Sequence, residues 1–160
     1  MTKRHTKQIA GFRLQYDPAD IRTLAGEYME TPYKGRTAAD EDREMEAAGR
    51  RITNGETTRE NAEKVYRWKS ARRMDLFVQN TDGKIEQALT SAIAARTARE
   101  AIECLTRLKG VGIKMASAIL TAMFPELYTV SDFRASEALG VKDGNDVEFY
   151  IVYLEACRSL

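Results

Sequence analysis

Helix-start signals recur along this chain, and no stretch of strict two-residue alternation between them is long enough to make a sheet. Asp17-Pro18 sets a capping carboxylate before a proline preorganised for the first helical position, with Ile21, Leu24 and Tyr28 following on one face. Thr57 with Glu60, and Thr97 with Glu100, have the spacing at which side chain and backbone cap each other reciprocally. Asp146 precedes an aromatic-rich run to Leu160. The pattern predicts an all-α chain. An acidic helix runs over about 38–52, closed by Asn54-Gly55, and a basic one from Thr57 to near Asn80 carries Val65, Trp68, Met74 and Phe77. After a turn at Thr81-Asp82-Gly83 comes a helix with Ile85, Leu89 and Ile93, then one behind Thr97 that buries Ile102 and Leu105. A further helix ends near Phe124, stopped by Pro125, and a short one opens at Ser131 or Asp132 and stops at Gly140. Residues 31–37 read as a loop, and Tyr128–Val130 is extended but too short for a sheet.

A chain of 160 residues is long enough for one domain, or two small lobes sharing a core. With 43% hydrophobic and 31% charged residues it belongs among folded globular proteins rather than disordered ones. No apolar run approaches the roughly 18 residues of a membrane span, and the basic start is not followed by the apolar stretch of a secretory signal. The expectation is therefore a cytoplasmic monomer without membrane partners. Cys104 and Cys157 stand far apart with no paired-cysteine or histidine context, so neither a disulfide framework, a zinc site nor a four-thiolate iron–sulfur cluster is expected. No metal or other cofactor is called for. The last helix meets no glycine or proline before Leu160, which leaves room for the native domain to extend further.

The net charge of +1 does not announce a nucleic-acid binder, but its distribution is uneven. Basic groups cluster at Thr2–Lys7, at Arg50-Arg51, and at Arg67, Lys69, Arg72 and Arg73. Each cluster fits a solvated helix face as well as it fits a phosphate backbone.

The chemistry is concentrated in two stretches. The first is Leu108-Lys109-Gly110-Val111-Gly112, between a capped amphipathic helix and an alanine-rich one. A tight reversal between two helices needs the positive φ that glycine permits. It also delivers the second helix with its first N–H groups unsatisfied, and these with the helix dipole form a site for a phosphate. Ala116, Ser117 and Ala118 then let that helix pack closely on a neighbour. The simplest alternative is a helical turn closed by a left-handed cap. The second stretch is Tyr128-Thr-Val-Ser-Asp-Phe-Arg134, in which Asp132 stands at a helix start and could be no more than an N-cap.

Together, Leu108 to Gly140 resembles the helix-hairpin-helix–Gly/Pro–Asp (HhH-GPD) superfamily of DNA glycosylases, which includes endonuclease III and 8-oxoguanine DNA glycosylases. The resemblance is strong over roughly 35 residues. Gly110-Val111-Gly112 matches the hairpin, Lys114 the position of the family's lysine nucleophile, and Asp132, eighteen residues on, that of its aspartate. It implies a compact helical fold reduced in size, a hairpin over about 97–124 and an aspartate helix over about 131–140. It implies a base-excision repair enzyme acting on double-stranded DNA with a damaged or modified base. Lys109 stands where the family carries proline, Phe133-Arg134 replace the Thr-His that commonly follow the aspartate, and the four-cysteine cluster loop is absent.

Under this resemblance Asp132 would stabilise positive charge on the deoxyribose as the N-glycosidic bond breaks. Lys114, in the first turn of its helix, would attack C1′ as a neutral amine and add β-elimination at the abasic site, that is, AP-lyase activity. Leu108, Lys109, Gly110, Val111 and Gly112 would hold the DNA backbone, with Lys69, Arg72 and Arg73 on flanking phosphates. A flipped base needs an aromatic wall, for which Tyr66, Trp68 and Phe77 are the available rings, although aromatics on an amphipathic helix more often belong to the core. His5, near the terminus, has no visible partner. The competing reading is a non-catalytic hairpin module that grips DNA without sequence preference. A helical protein–protein adaptor would leave the two glycines and Lys114 unexplained.

Overall fold

The computed structural model describes residues 11–160, so the basic cluster at Thr2–Lys7 and His5 lie outside the described residues. The described residues are mostly helical. In chain order the helices are α1 (Pro18–Met29), α2 (Ala38–Thr53), α3 (Arg59–Lys69), α4 (Met74–Phe77), α5 (Asp82–Ala94), α6 (Ala98–Thr106), α7 (Ile113–Met123), α8 (Phe133–Ala138) and α9 (Val147–Arg158). No helix among them is long and apolar enough to cross a membrane.

Most starts fall where capping residues place them. Asp17 accepts from the amide of Ala19, Thr97 from that of Glu100, Asp132 from that of Ala135 and Asp146 from that of Phe149. The capping box forms in full at Thr37–Asp40, at the head of α2. At α3 the cap is Thr58, whose hydroxyl accepts from Asn61, rather than the neighbouring Thr57.

Two elements differ from expectation. Residues 31–37 are a small antiparallel ribbon, β1 (Pro32–Tyr33) against β2 (Arg36–Thr37), because Lys34 and Gly35 both take the positive φ of a two-residue hairpin turn. The basic helix expected to reach Asn80 breaks at Ser70, which is fully extended, and Met74 and Phe77 fall on the separate one-and-a-bit turns of α4. The break is stabilised across the turn: the Tyr66 hydroxyl donates to the carbonyl of Gly110 at 2.7 Å and lies 3.1 Å from that of Arg73. A continuous helix would carry Arg73 away from that position.

The core lies between α2, α3, α5, α6, α7 and α9 and is filled by Ile52, Val65, Tyr66, Phe77, Ile85, Leu89, Ile102, Leu105, Ile119, Leu120, Tyr150 and Leu154. α7 is its axis: Met115–Leu120 are all buried. α2 approaches it so closely that a Cβ at Gly49 would fall on the backbone carbonyl of Ala122. Gly49 and the alanines facing it are what permit this crossing.

A candidate nucleic-acid interface and carboxylate site

The turn from α6 to α7 is shaped by its glycines. Gly110 has φ of +78°, and a Cβ there would meet the Arg73 carbonyl, the Phe77 amide and the Tyr66 hydroxyl, each at 3.0 Å. Gly112 is the N-cap of α7 and supplies no side-chain partner, so the first amides of α7 carry no side-chain cap. An uncapped helix start with the dipole behind it is chemically suited to an anion. Leu108 and Val111 are both 5% exposed and anchor the turn in the core, so at these two positions only backbone can face a phosphate.

The turn is braced from outside. Asn80, buried, accepts from the Lys109 amide at 2.9 Å and donates to the Lys109 carbonyl at 3.0 Å and the Phe77 carbonyl at 2.8 Å. The Lys109 side chain is exposed, with Nζ 3.4 Å from Gln79 Oε1.

A cleft of about 260 Å³ opens between the C-terminal end of α3, the hairpin and the loop before α9. Lys69, Arg73, Gly110, Gly112 and Lys114 all contribute to its lining. Of the four cations assigned to DNA in this region, Arg72 and Arg73 are exposed and carry no ion pair among the described residues. Lys69 is different. Its side chain is only 17% exposed, and its ammonium lies 3.4 Å from Asp132 Oδ2 rather than facing solvent.

Asp132 thus has two partners: the Ala135 amide on Oδ1 at 2.9 Å, and Lys69 on Oδ2. Partial burial pushes its pKa up, but the amide of Ala135 and the charge and hydrogen bond of Lys69 together outweigh this. The carboxyl is held below its ordinary value. It is an ionised group beside the cleft at neutral pH.

The segment carrying Asp132 is fixed by hydrogen bonds from two other helices. Tyr150 and Tyr153 of α9 donate their hydroxyls to the carbonyls of Thr129 and Val130 at 3.1 and 2.8 Å. Burial pushes both phenols up, so they remain donors. Ser117, buried in α7, accepts from the Ser131 amide at 2.9 Å and donates to the Lys114 carbonyl at 2.7 Å. One hydroxyl therefore ties the helix turn of Lys114 to the residue before Asp132.

Lys114 pairs with Asp143, whose other oxygen accepts from the buried Ser136 hydroxyl at 3.0 Å. Asp143, Ser117, Tyr150, Tyr153 and Asn80 carry no spacing signal in the sequence. Their roles depend on which loops fold back onto the hairpin. Helix caps are encoded locally and do not report such returns.

Of the three aromatic rings proposed as a wall, Tyr66 borders the cleft and Trp68 and Phe77 do not. Phe77 is fully buried, its ring tilted against that of Tyr66 with centroids 4.6 Å apart, so it belongs to the core rather than to a cleft wall. Tyr66 is 1% exposed and reaches the cleft only beside Gly110, while the Trp68 indole donates to Asp42 of α2 at 2.8 Å. The ring that is exposed beside the carboxylate is Phe133, at 59%, with the Arg134 guanidinium 5.5 Å from its centroid. Cys104 and Cys157 are both free and half-buried.

No family model matches the chain, and neither a curated protein nor a solved structure matches it.

Proposed function

We propose that the chain is a small HhH-GPD-type DNA glycosylase that excises a damaged or modified base from duplex DNA and cleaves the resulting abasic site through Lys114. The observation that carries this reading is the juxtaposition of three things: an uncapped helix N-terminus at the cleft, an amine on its first turn, and an ionised carboxylate paired with Lys69 of the cleft wall. Glycosidic cleavage makes an oxocarbenium-like sugar, and a fixed anion near C1′ lowers the energy of that charge as it develops. Asp132 needs no proton to do so. The hairpin amides with Arg72, Arg73 and Lys109 provide the phosphate contacts that hold the duplex, and the target base leaves the stack to reach the cleft.

The second reading, a hairpin module that only grips DNA, draws on a specific observation: both Asp132 oxygens already have partners, as a purely structural cap would. One substitution separates the two. Asp132→Asn preserves shape and one acceptor. For a glycosylase it lowers base release from a duplex panel of oxidised, deaminated, alkylated and phage-type modified bases by about 10²-fold or more, with DNA affinity retained. If the wild-type protein binds these duplexes and releases base from none, the grip-only reading replaces the enzyme.

A further inference from the structure

A lysine that attacks carbon must first lose a proton, and an activated nucleophile is recognised by three groups in series: the nucleophile, a base within hydrogen-bond reach, and a third group that orients the base. Around this cleft Lys114 Nζ meets Asp143 Oδ2, and Asp143 Oδ1 accepts from Ser136 Oγ at 3.0 Å. Each side chain comes from a different place: Lys114 from the first turn of α7, Asp143 from the loop before α9, and Ser136 from α8. Ser136 is fully buried, whereas Lys114 and Asp143 remain 31% and 25% exposed. Lys114 lines the cleft and Asp143 is partly open to solvent, while the residue that aims the carboxylate is closed off. An ion pair built only for stability has no need of a buried hydroxyl on the outer carboxylate oxygen, because water would serve that oxygen at an exposed site.

We propose that Asp143 is the catalytic base that takes the proton from Lys114, with Ser136 as its positioning residue. The proposal rests on the reading of Lys114 as the lyase amine. In the resting pair Lys114 carries three protons. One passes to Asp143, and the freed lone pair forms the bond to C1′ as the bond from C1′ to the base breaks. The base leaves with that electron pair and is protonated on the nitrogen that held it. A second proton leaves the attached nitrogen and reaches O4′ as the C1′–O4′ bond opens, which produces the iminium with one proton remaining on nitrogen. Two protons are lost and two are placed, and the single positive charge that began on the ammonium ends on the iminium. Asp143 takes the first proton and hands it on, so it ends as it began. Asp132 keeps a separate task, stabilising the sugar charge.

An abasic-site duplex tests this without knowledge of the excised base, because its C1′ aldehyde condenses with the same amine and loses water. Borohydride then reduces the iminium to a stable adduct, whose rate of formation is measured at saturating protein and whose position is mapped by peptide mass spectrometry. Wild type gives an adduct at Lys114, and Lys114→Ala gives none. Asp143→Asn slows formation by about 10²-fold, with the half-saturating protein concentration unchanged, and Asp143→Glu recovers most of the rate. The alternative predicts the opposite sign. If Asp143 only neutralises Lys114, its removal favours the uncharged amine, and trapping stays equal or becomes faster; that result overturns the assignment while leaving Lys114 in place. Ser136→Ala keeps the ion pair and frees its outer oxygen, so a saturating rate equal to wild type overturns it too, even should Asp143→Asn not fold. No adduct in wild type, or one mapped away from Lys114, removes the lyase reading and this assignment together.

Discussion

The hairpin between α6 and α7 and the helix α1 stand at opposite extremes of the same molecule. Both begin from clear local signals, glycines in one and an Asp-Pro start in the other. In the hairpin the turn is held by distant residues: Tyr66 on Gly110, Asn80 on both backbone groups of Lys109, and a core that takes Leu108 and Val111. In α1 the cap forms and the apolar stripe is present, yet no residue of the helix is buried, and Ile21, Leu24 and Tyr28 are 39–47% exposed. Its tie to the body includes the Tyr28 hydroxyl, 3.4 Å from Asp42. Local chemistry makes a helix in both places, but only tertiary contacts make a fixed one. An isolated twelve-residue helix is marginal in water, and most helical stability comes from packing.

The sharpest way to break this comparison is to remove one brace of the hairpin. Tyr66→Phe deletes the hydroxyl that donates to the carbonyl of Gly110 and leaves that carbonyl without its partner, while the Arg73 carbonyl keeps the amides of Leu76 and Phe77. The expected loss is about 2 kcal/mol in urea unfolding, with a larger loss of DNA affinity than any exposed-lysine change produces. Stability equal to wild type would mean the turn holds itself, as α1 does.

The division between the two regions also explains what could be read from the chain beforehand. Helix starts are encoded within about four residues, and Asp17, Thr97, Asp132 and Asp146 all cap as their spacing indicates. The hairpin glycines and the Lys114-to-Asp132 interval are legible for the same reason. The break at Ser70 is not, because it is imposed by Tyr66 reaching residues that lie seven and forty-four positions beyond it. Likewise Lys69 has the composition of a phosphate grip, but it folds inward onto Asp132, and Asp143 becomes visible only once its loop lies against α7. A stripe such as Ile21, Leu24, Tyr28 shows which face could be buried without showing that anything covers it.

A smaller effect sharpens the contrast within the site itself. The pKa of Asp132 is depressed in the folded chain, so this group adds stability above the ordinary carboxylate value and loses it as pH falls through the folded value. Lys69→Met removes one cause of that depression and keeps the amide of Ala135. The acid loss should then be smaller and complete at higher pH than in wild type, read as the urea midpoint followed from about pH 6 down to about pH 2. In Asp132→Asn this contribution to the slope vanishes, and Lys69→Met on that background should shift nothing further. Superimposable profiles for wild type and Lys69→Met would mean that the two side chains do not interact in solution.

The smallest expected effect belongs to α1, and it is the most informative about that helix. Leu24→Ser changes an exposed apolar side chain at a position that packs on nothing in the core, so unfolding stability should stay within about 0.5 kcal/mol of wild type. Amide exchange across Pro18–Met29 should be governed by local opening, while amides of α7 should exchange only through events near global unfolding. A loss above about 1 kcal/mol would show that the stripe is covered in solution. Its dependence on protein concentration would then say by what: a loss that fades on dilution of both proteins points to a second copy, because a contact within one chain is indifferent to concentration. Either result turns the exposed face of α1 from an unfinished piece of packing into a measured property of the molecule.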